Sequence, residues 1–110
     1  MIKHTIQINI VDDSSQKECD ASCGEDWSSL EVIALAHQRI MDRFGDKIQL
    51  EYFDLSKGKT NHRALVWSQL IKNKNLSVPL LLINGKPRIS GQFDIRQLLD
   101  AIEAEMEIGT

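Results

Sequence analysis

The sequence predicts an α/β domain of order β-α-β-α-β-β-α around a four-stranded mixed sheet, and three patterns predict it. Two alternating apolar runs, 5–11 and 47–54, flank a long stretch of helical periodicity over 27–44, the signature of a βαβ unit with parallel, right-handed pairing. Asn84-Gly85 between two strand-like runs signals a type I′ hairpin, which adds an antiparallel pair. Helical patterns over 61–74 and 95–106 supply the remaining layers.

Composition narrows the class. With 110 residues and 42% hydrophobic content, one core and a single domain over 1–110 are expected. The formal charge of −3 is spread along the chain without a basic stripe, so nucleic acid is not an expected partner. No apolar run reaches the length of a signal h-region or a membrane span, and Met1 to Thr5 lead straight into the first strand; no membrane association and a cytoplasmic protein are expected.

The first strand rests on Ile6, Ile8 and Ile10 at period two, and Asp12-Asp13-Ser14-Ser15 breaks it with side chains that bond their own backbone. The first helix places Leu30, Ile33, Ala34, Ile40, Met41 and Phe44 on one face. Its N-terminus is signalled by a Ser28/Glu31 capping box or by Asp26, and its end by Gly45. Lys47 to Asp54 alternate as the second strand, and Lys57-Gly58-Lys59-Thr60 is a solvated loop. Asn61 caps a second helix with Ala64, Trp67, Leu70 and Ile71 inward. The unbroken apolar run from Val78 to Ile83 suits a strand buried on both faces, while Pro87, which lacks an N–H, makes the next one an edge strand. Before the last helix, Asp94 and Gln97 form a capping-box pair, with Phe93 and Leu98 as a hydrophobic staple.

Both cysteines fall in one stretch, Cys19-Asp20-Ala21-Ser22-Cys23, between the first strand and the first helix. In a reducing cytosol a close thiol pair is more often catalytic, redox-sensing or metal-binding than a structural staple, although two ordinary loop thiols account for the pattern as well. Metal binding needs about four ligands and two cysteines provide half a set, so no metal is assigned unless a dimer completes it. Trp27 and Trp67 read as core and boundary packing. His37 is expected on the apolar face of the first helix as a core or boundary histidine bonded to a carbonyl, and His4 and His62 at the surface.

The element order, the thiol pair after the first strand and the Xaa-Pro opening the third strand together resemble the thioredoxin-like superfamily, and its small glutaredoxin-like members most closely. Ser77-Val78-Pro79 resembles the Thr-Val-Pro of glutaredoxins, whose proline is cis. Ser90-Gly91-Gln92-Phe93-Asp94 resembles their Gly-Gly-x-x-Asp in all but the first glycine. The resemblance implies a thioredoxin-like fold, thiol–disulfide chemistry at Cys19 and Cys23, and a substrate site made by Ser77, Val78, Pro79, Gly91 and Asp94. There an extended thiol substrate pairs with backbone beside the proline, and a helix N-terminus receives its carboxylate. Protein or peptide thiols and disulfides are the implied partners, with glutathione as the co-substrate and no bound cofactor. Two departures stand out: three residues separate the cysteines where the family has two, and Lys17 lies two residues ahead of Cys19 where the family's lysine lies three ahead.

The chemistry itself is constrained. Helical residues four apart have Cα atoms about 6 Å from each other, within disulfide range. Their side chains run nearly parallel, so closure requires Cys19 ahead of the helix or a loose first turn, which Gly24 would permit. A helix N-terminus and Lys17 favour a thiolate; Glu18 and Asp20, inside a Debye length of about 8 Å, oppose it. The expected assignment is Cys19 as attacking thiol and Cys23 as resolving thiol, with a reducing poise. The other class of function is a non-catalytic thioredoxin-like module that binds a protein partner or senses redox state, since fold alone does not dictate activity.

Overall fold

The computed structural model of the chain describes residues 5–13, 27, 29–56 and 62–108. Cys19 and Cys23 lie outside these residues, as do His4, Lys17, Asp26, Ser28 and Asn61.

The elements run β1 (Ile6–Asp12), α1 (Leu30–Phe44), a 3₁₀ turn (Gly45–Lys47), β2 (Ile48–Asp54), α2 (His62–Lys74), β3 (Leu80–Ile83), β4 (Lys86–Ser90) and α3 (Ile95–Ile108). They form a mixed α/β architecture with a four-stranded sheet of order β2-β1-β3-β4. β1 pairs in parallel with β2, Ile6 opposite Ile48 through Asp12 opposite Asp54, and antiparallel with β3, Ile8 opposite Ile83 through Val11 opposite Leu80. β4 pairs antiparallel with β3 and is the edge strand, with a register shift at Leu81/Leu82 near Pro87. A residue without a donor costs least at such an edge.

Strand periodicity divides the core. Ile8, Ile10, Ile48, Leu81 and Ile83 meet Ala36 and Ile40 of α1 and Leu98 and Ile102 of α3 on one face. On the other face Val11, Leu80 and Leu82 meet Trp67, Leu70 and Ile71 of α2. The β3 run is buried throughout because its alternate residues serve both layers. The turn joining β3 to β4 has Asn84 at φ 51° and Gly85 at φ 81°, the left-handed pair that a type I′ turn demands. No helix among the described residues is long and apolar enough to cross a membrane.

Several local expectations require correction. α1 begins at Leu30 with Ser29 as N-cap, and Ser29 makes no side-chain cap hydrogen bond, so Glu31 sits in the first turn outside any described capping box. The inward face of α1 is carried by Ala36 and Ile40, with Val32, Ile33 and Phe44 beside them. Leu30, Ala34, His37 and Met41 face solvent, so His37 is neither a core nor a boundary histidine. Apolar residues occur on two sides of this helix, and periodicity alone selected a mixture of both. β1 also continues through Asp12, one residue past the expected break, because its carboxylate is satisfied inside the fold. The regular strand in 78–83 starts only at Leu80, after the Val78–Pro79 bond.

Candidate functional site

The C-terminal end of β1 and the start of β3 lie side by side because these strands are antiparallel neighbours. Pro79 immediately precedes Leu80, the partner of Val11, and the Val78–Pro79 peptide bond is cis. Pro79 is buried, Val78 half-buried and Ser77 exposed.

Hydrogen bonds tie this corner to the segment that leads into α3. The Gly91 N–H donates to the Pro79 carbonyl at 3.0 Å, and the Ser77 N–H donates to Ser90 Oγ at 2.7 Å. Gly91 has φ 97°, a conformation that side chains disfavour, and a Cβ there would have Ser77 Cβ as its nearest neighbour at 3.9 Å. Ser77, Pro79 and Gly91 are thus brought together.

Asp94 lies one step further along. Its Oδ1 accepts from the Gln97 N–H at 2.8 Å, and Gln97 Oε1 accepts from the Asp94 N–H at 3.0 Å, the reciprocal bonds of a capping box. Phe93 and Leu98 are both buried in the same core cluster, which fixes the direction of entry into α3. The observed role of Asp94 is therefore to close the first turn of that helix.

Three groups at this end of the sheet were not among the site residues expected from the sequence. Asp12 is only 5% exposed; its Oδ2 accepts from the Tyr52 hydroxyl at 3.1 Å and its Oδ1 from the Asp13 N–H at 2.8 Å. Across the parallel pair it faces Asp54, a like-charge arrangement that costs free energy unless both carboxylates are supplied with donors. Asp54 has its own, the Ser56 N–H and hydroxyl at 3.0 and 2.7 Å. The period-two continuation Ile6-Ile8-Ile10-Asp12 was the available signal. Ser90, the acceptor for Ser77, is the second group.

Trp27 is the third, and it marks where the chain returns from the stretch that holds the cysteines. It is 1% exposed, stacks on Phe93 with ring centroids 4.9 Å apart, and donates from Nε1 to the Phe93 carbonyl at 3.0 Å. Asp13, at the other end of that stretch, follows directly on the strand that borders Pro79. Both described ends of residues 14–26 are consequently attached around the Pro79–Gly91–Phe93 corner.

Among the described residues no group of three or more His, Cys, Asp or Glu side chains is placed to hold a metal ion. No family model matches the chain, and no curated protein matches its sequence. Among solved structures the chain is similar to a protein of unknown function from Staphylococcus aureus, at 14% identity and a TM-score of 0.64, over 96% of this chain and 94% of that one. At that identity the likeness concerns the fold alone.

Proposed function

We propose that the domain is thioredoxin-like, nearest to small glutaredoxin-like proteins, and acts as a thiol–disulfide oxidoreductase through Cys19 and Cys23. One observation carries the proposal: the strand that precedes the cysteine stretch ends beside a cis-proline opening β3, in a sheet of order β2-β1-β3-β4. The anchoring of Trp27 on Phe93 adds to it, because four residues of chain reach at most about 14 Å and Cys23 is four residues from Trp27.

In the proposed reaction the Cys19 thiolate attacks one sulfur of a protein, peptide or glutathione disulfide, forming a mixed disulfide and releasing the other sulfur as a thiol. Cys23 then attacks the Cys19 sulfur, releases the second thiol and closes a Cys19–Cys23 disulfide. Two electrons pass to the substrate, and an external thiol reductant restores the pair. Ser77, Val78 and Gly91 offer backbone groups to an extended substrate, Pro79 borders its approach, and Asp94 shapes the α3 N-terminus that receives a carboxylate. Such chemistry suits a reducing, cytoplasmic setting.

The three-residue spacer Asp20-Ala21-Ser22 favours a second reading, a thioredoxin-like module that binds a protein partner or senses redox state without turnover. Insulin-reduction and glutathione-coupled assays on the wild type and Cys19→Ser separate the two. Turnover that Cys19→Ser abolishes supports the enzyme; equal background rates in both leave the binding module. Alkylation across pH tests the roles of the two thiols, and earlier reaction of Cys23 would reverse them.

A further inference from the structure

The tip of the β3–β4 hairpin pairs an amide with an unhindered backbone nitrogen. Asn84 and Gly85 are both exposed, at φ 51° and 81°, and a Cβ built on Gly85 would meet nothing within 4 Å. The chain has five asparagines, and only Asn84 is followed by glycine. Among the described residues, neither the Gly85 N–H nor the Asn84 side-chain nitrogen has a hydrogen-bond partner. Asn84 Oδ1, in contrast, accepts from the Gln7 N–H at 3.0 Å, and the Asn84 N–H donates to the Gln7 carbonyl at 2.8 Å. These two bonds carry the β1–β3 ladder one step past the Ile8–Ile83 pair, with a carboxamide standing in for a backbone carbonyl.

We propose that Asn84 is a site of spontaneous deamidation, gated by release of the Gln7 contact, whose two products the fold treats differently. The reaction needs only water. The Gly85 nitrogen loses its proton to solvent and attacks Asn84 Cγ, closing a succinimide ring, and the Asn84 side-chain nitrogen leaves as ammonia. Water then adds to one of the two ring carbonyls and breaks its bond to the ring nitrogen. One opening gives aspartate with the original backbone; the other gives isoaspartate, whose backbone runs through the former side chain.

The other asparagines precede Ile10, His62, Lys74 and Leu76, whose side chains crowd the attacking nitrogen. Glycine at 85 removes that hindrance, and the turn requires it for the left-handed φ. The native turn nevertheless restrains the reaction. A type I′ turn holds ψ of its first central residue at about +30°, which points the Gly85 nitrogen away from the Asn84 side chain. Ring closure therefore proceeds from the opened turn, after Oδ1 has left the Gln7 N–H. Aspartate at this position tolerates φ above zero and keeps an oxygen for Gln7. Isoaspartate adds a methylene to the backbone of a two-residue turn, which no longer fits the Ile83–Lys86 pairing. It loosens the hairpin that starts after Pro79 and ends at Ser90.

Peptide mapping by mass spectrometry of the full chain, aged at mildly alkaline pH with and without urea, tests the site. In urea Asn84 should deamidate faster than each other asparagine by about tenfold or more, and in the folded chain its own rate should fall by about tenfold or more. Chromatography separates the two products. The isoaspartyl form should unfold at a lower temperature than Asn84→Asp, which should stay close to the wild type. Equal rates at all asparagines in urea, an equal rate at Asn84 with and without urea, or an isoaspartyl form as stable as Asn84→Asp would each overturn the proposal. None of these readouts involves the thiols.

Discussion

The indole N–H of Trp27 donates to the carbonyl of Phe93 at 3.0 Å while the two rings lie 4.9 Å apart at 31°, so one side chain supplies both a polar and an apolar link between segments 66 residues apart. Trp27→Ala should destabilise the domain by about 3–5 kcal/mol, through lost burial and the cavity left behind. Trp27→Phe keeps much of the apolar volume but leaves the Phe93 carbonyl without its donor, at about 1–3 kcal/mol. Urea denaturation of the two variants separates these contributions: equal losses would mean that the apolar ring adds nothing beyond the hydrogen bond, and a Trp27→Phe loss near zero that the hydrogen bond contributes nothing.

The α3 capping box gives a smaller effect. Asp94→Ala should cost about 1 kcal/mol, because it removes the acceptor for the Gln97 N–H. Asp94→Asn, which retains a side-chain oxygen, should cost less. Thermal unfolding of both ranks them.

Asp12 offers a test of the buried end of β1. Tyr52→Phe removes the hydroxyl that donates to its carboxylate and should cost about 1.5–3 kcal/mol, the range for hydrogen bonds to charged groups. Chemical denaturation of Tyr52→Phe measures it. An unchanged midpoint would show that the carboxylate is served as well by its remaining partners.

Gly91 connects stability to the proposed activity. Its φ of 97° makes Gly91→Ala strained by about 1–2 kcal/mol, although the added Cβ would make only an ordinary contact with Ser77 Cβ at 3.9 Å. Because its N–H holds the Pro79 carbonyl, the variant should also lower insulin reduction by more than its unfolded fraction explains. A rate that falls only in proportion to that fraction would remove Gly91 from the proposed substrate site.

Mixed-disulfide trapping examines the order of thiol attack. Exposed to oxidised glutathione, Cys23→Ser should accumulate a Cys19–glutathione mixed disulfide with release of one glutathione thiol, visible by mass spectrometry, because the resolving step is missing. Cys19→Ser should not, and the opposite pattern would exchange the two roles.

Much of this architecture was legible where local chemistry and the global fold agree. Ile6-Ile8-Ile10, the Asn84-Gly85 turn, the edge position of Pro87 and the Asp94/Gln97 box all follow from rules spanning a few residues, and the observed elements match them. The exceptions depend on residues far apart in sequence. Asp12 looks like a loop residue until Tyr52 is set beside it, and nothing near Trp27 signals a bond to a carbonyl 66 residues away. α1 was misread for a different reason: Leu30, Ala34 and Met41 repeat at helical spacing as faithfully as Ile33, Ala36 and Ile40, and only the packing decides which set is inward. At the site, Pro79 and Gly91 could be placed from their motifs, whereas the Ser77–Ser90 contact required the structure.

The sheet order carries a consequence for biosynthesis. β1 leaves the ribosome before the other strands yet lies inside the sheet, bonded on one side to β2 and on the other to β3, which follows much later in the chain. Until β3 is synthesised, the nascent β-α-β half presents one side of β1 as an unsatisfied hydrogen-bonding edge, flanked by Ile8, Ile10 and Val11. Exposed edges of that kind recruit other chains. This half-made domain therefore carries an open strand edge, and arrival of the β3–β4 hairpin is the event that ends the exposure.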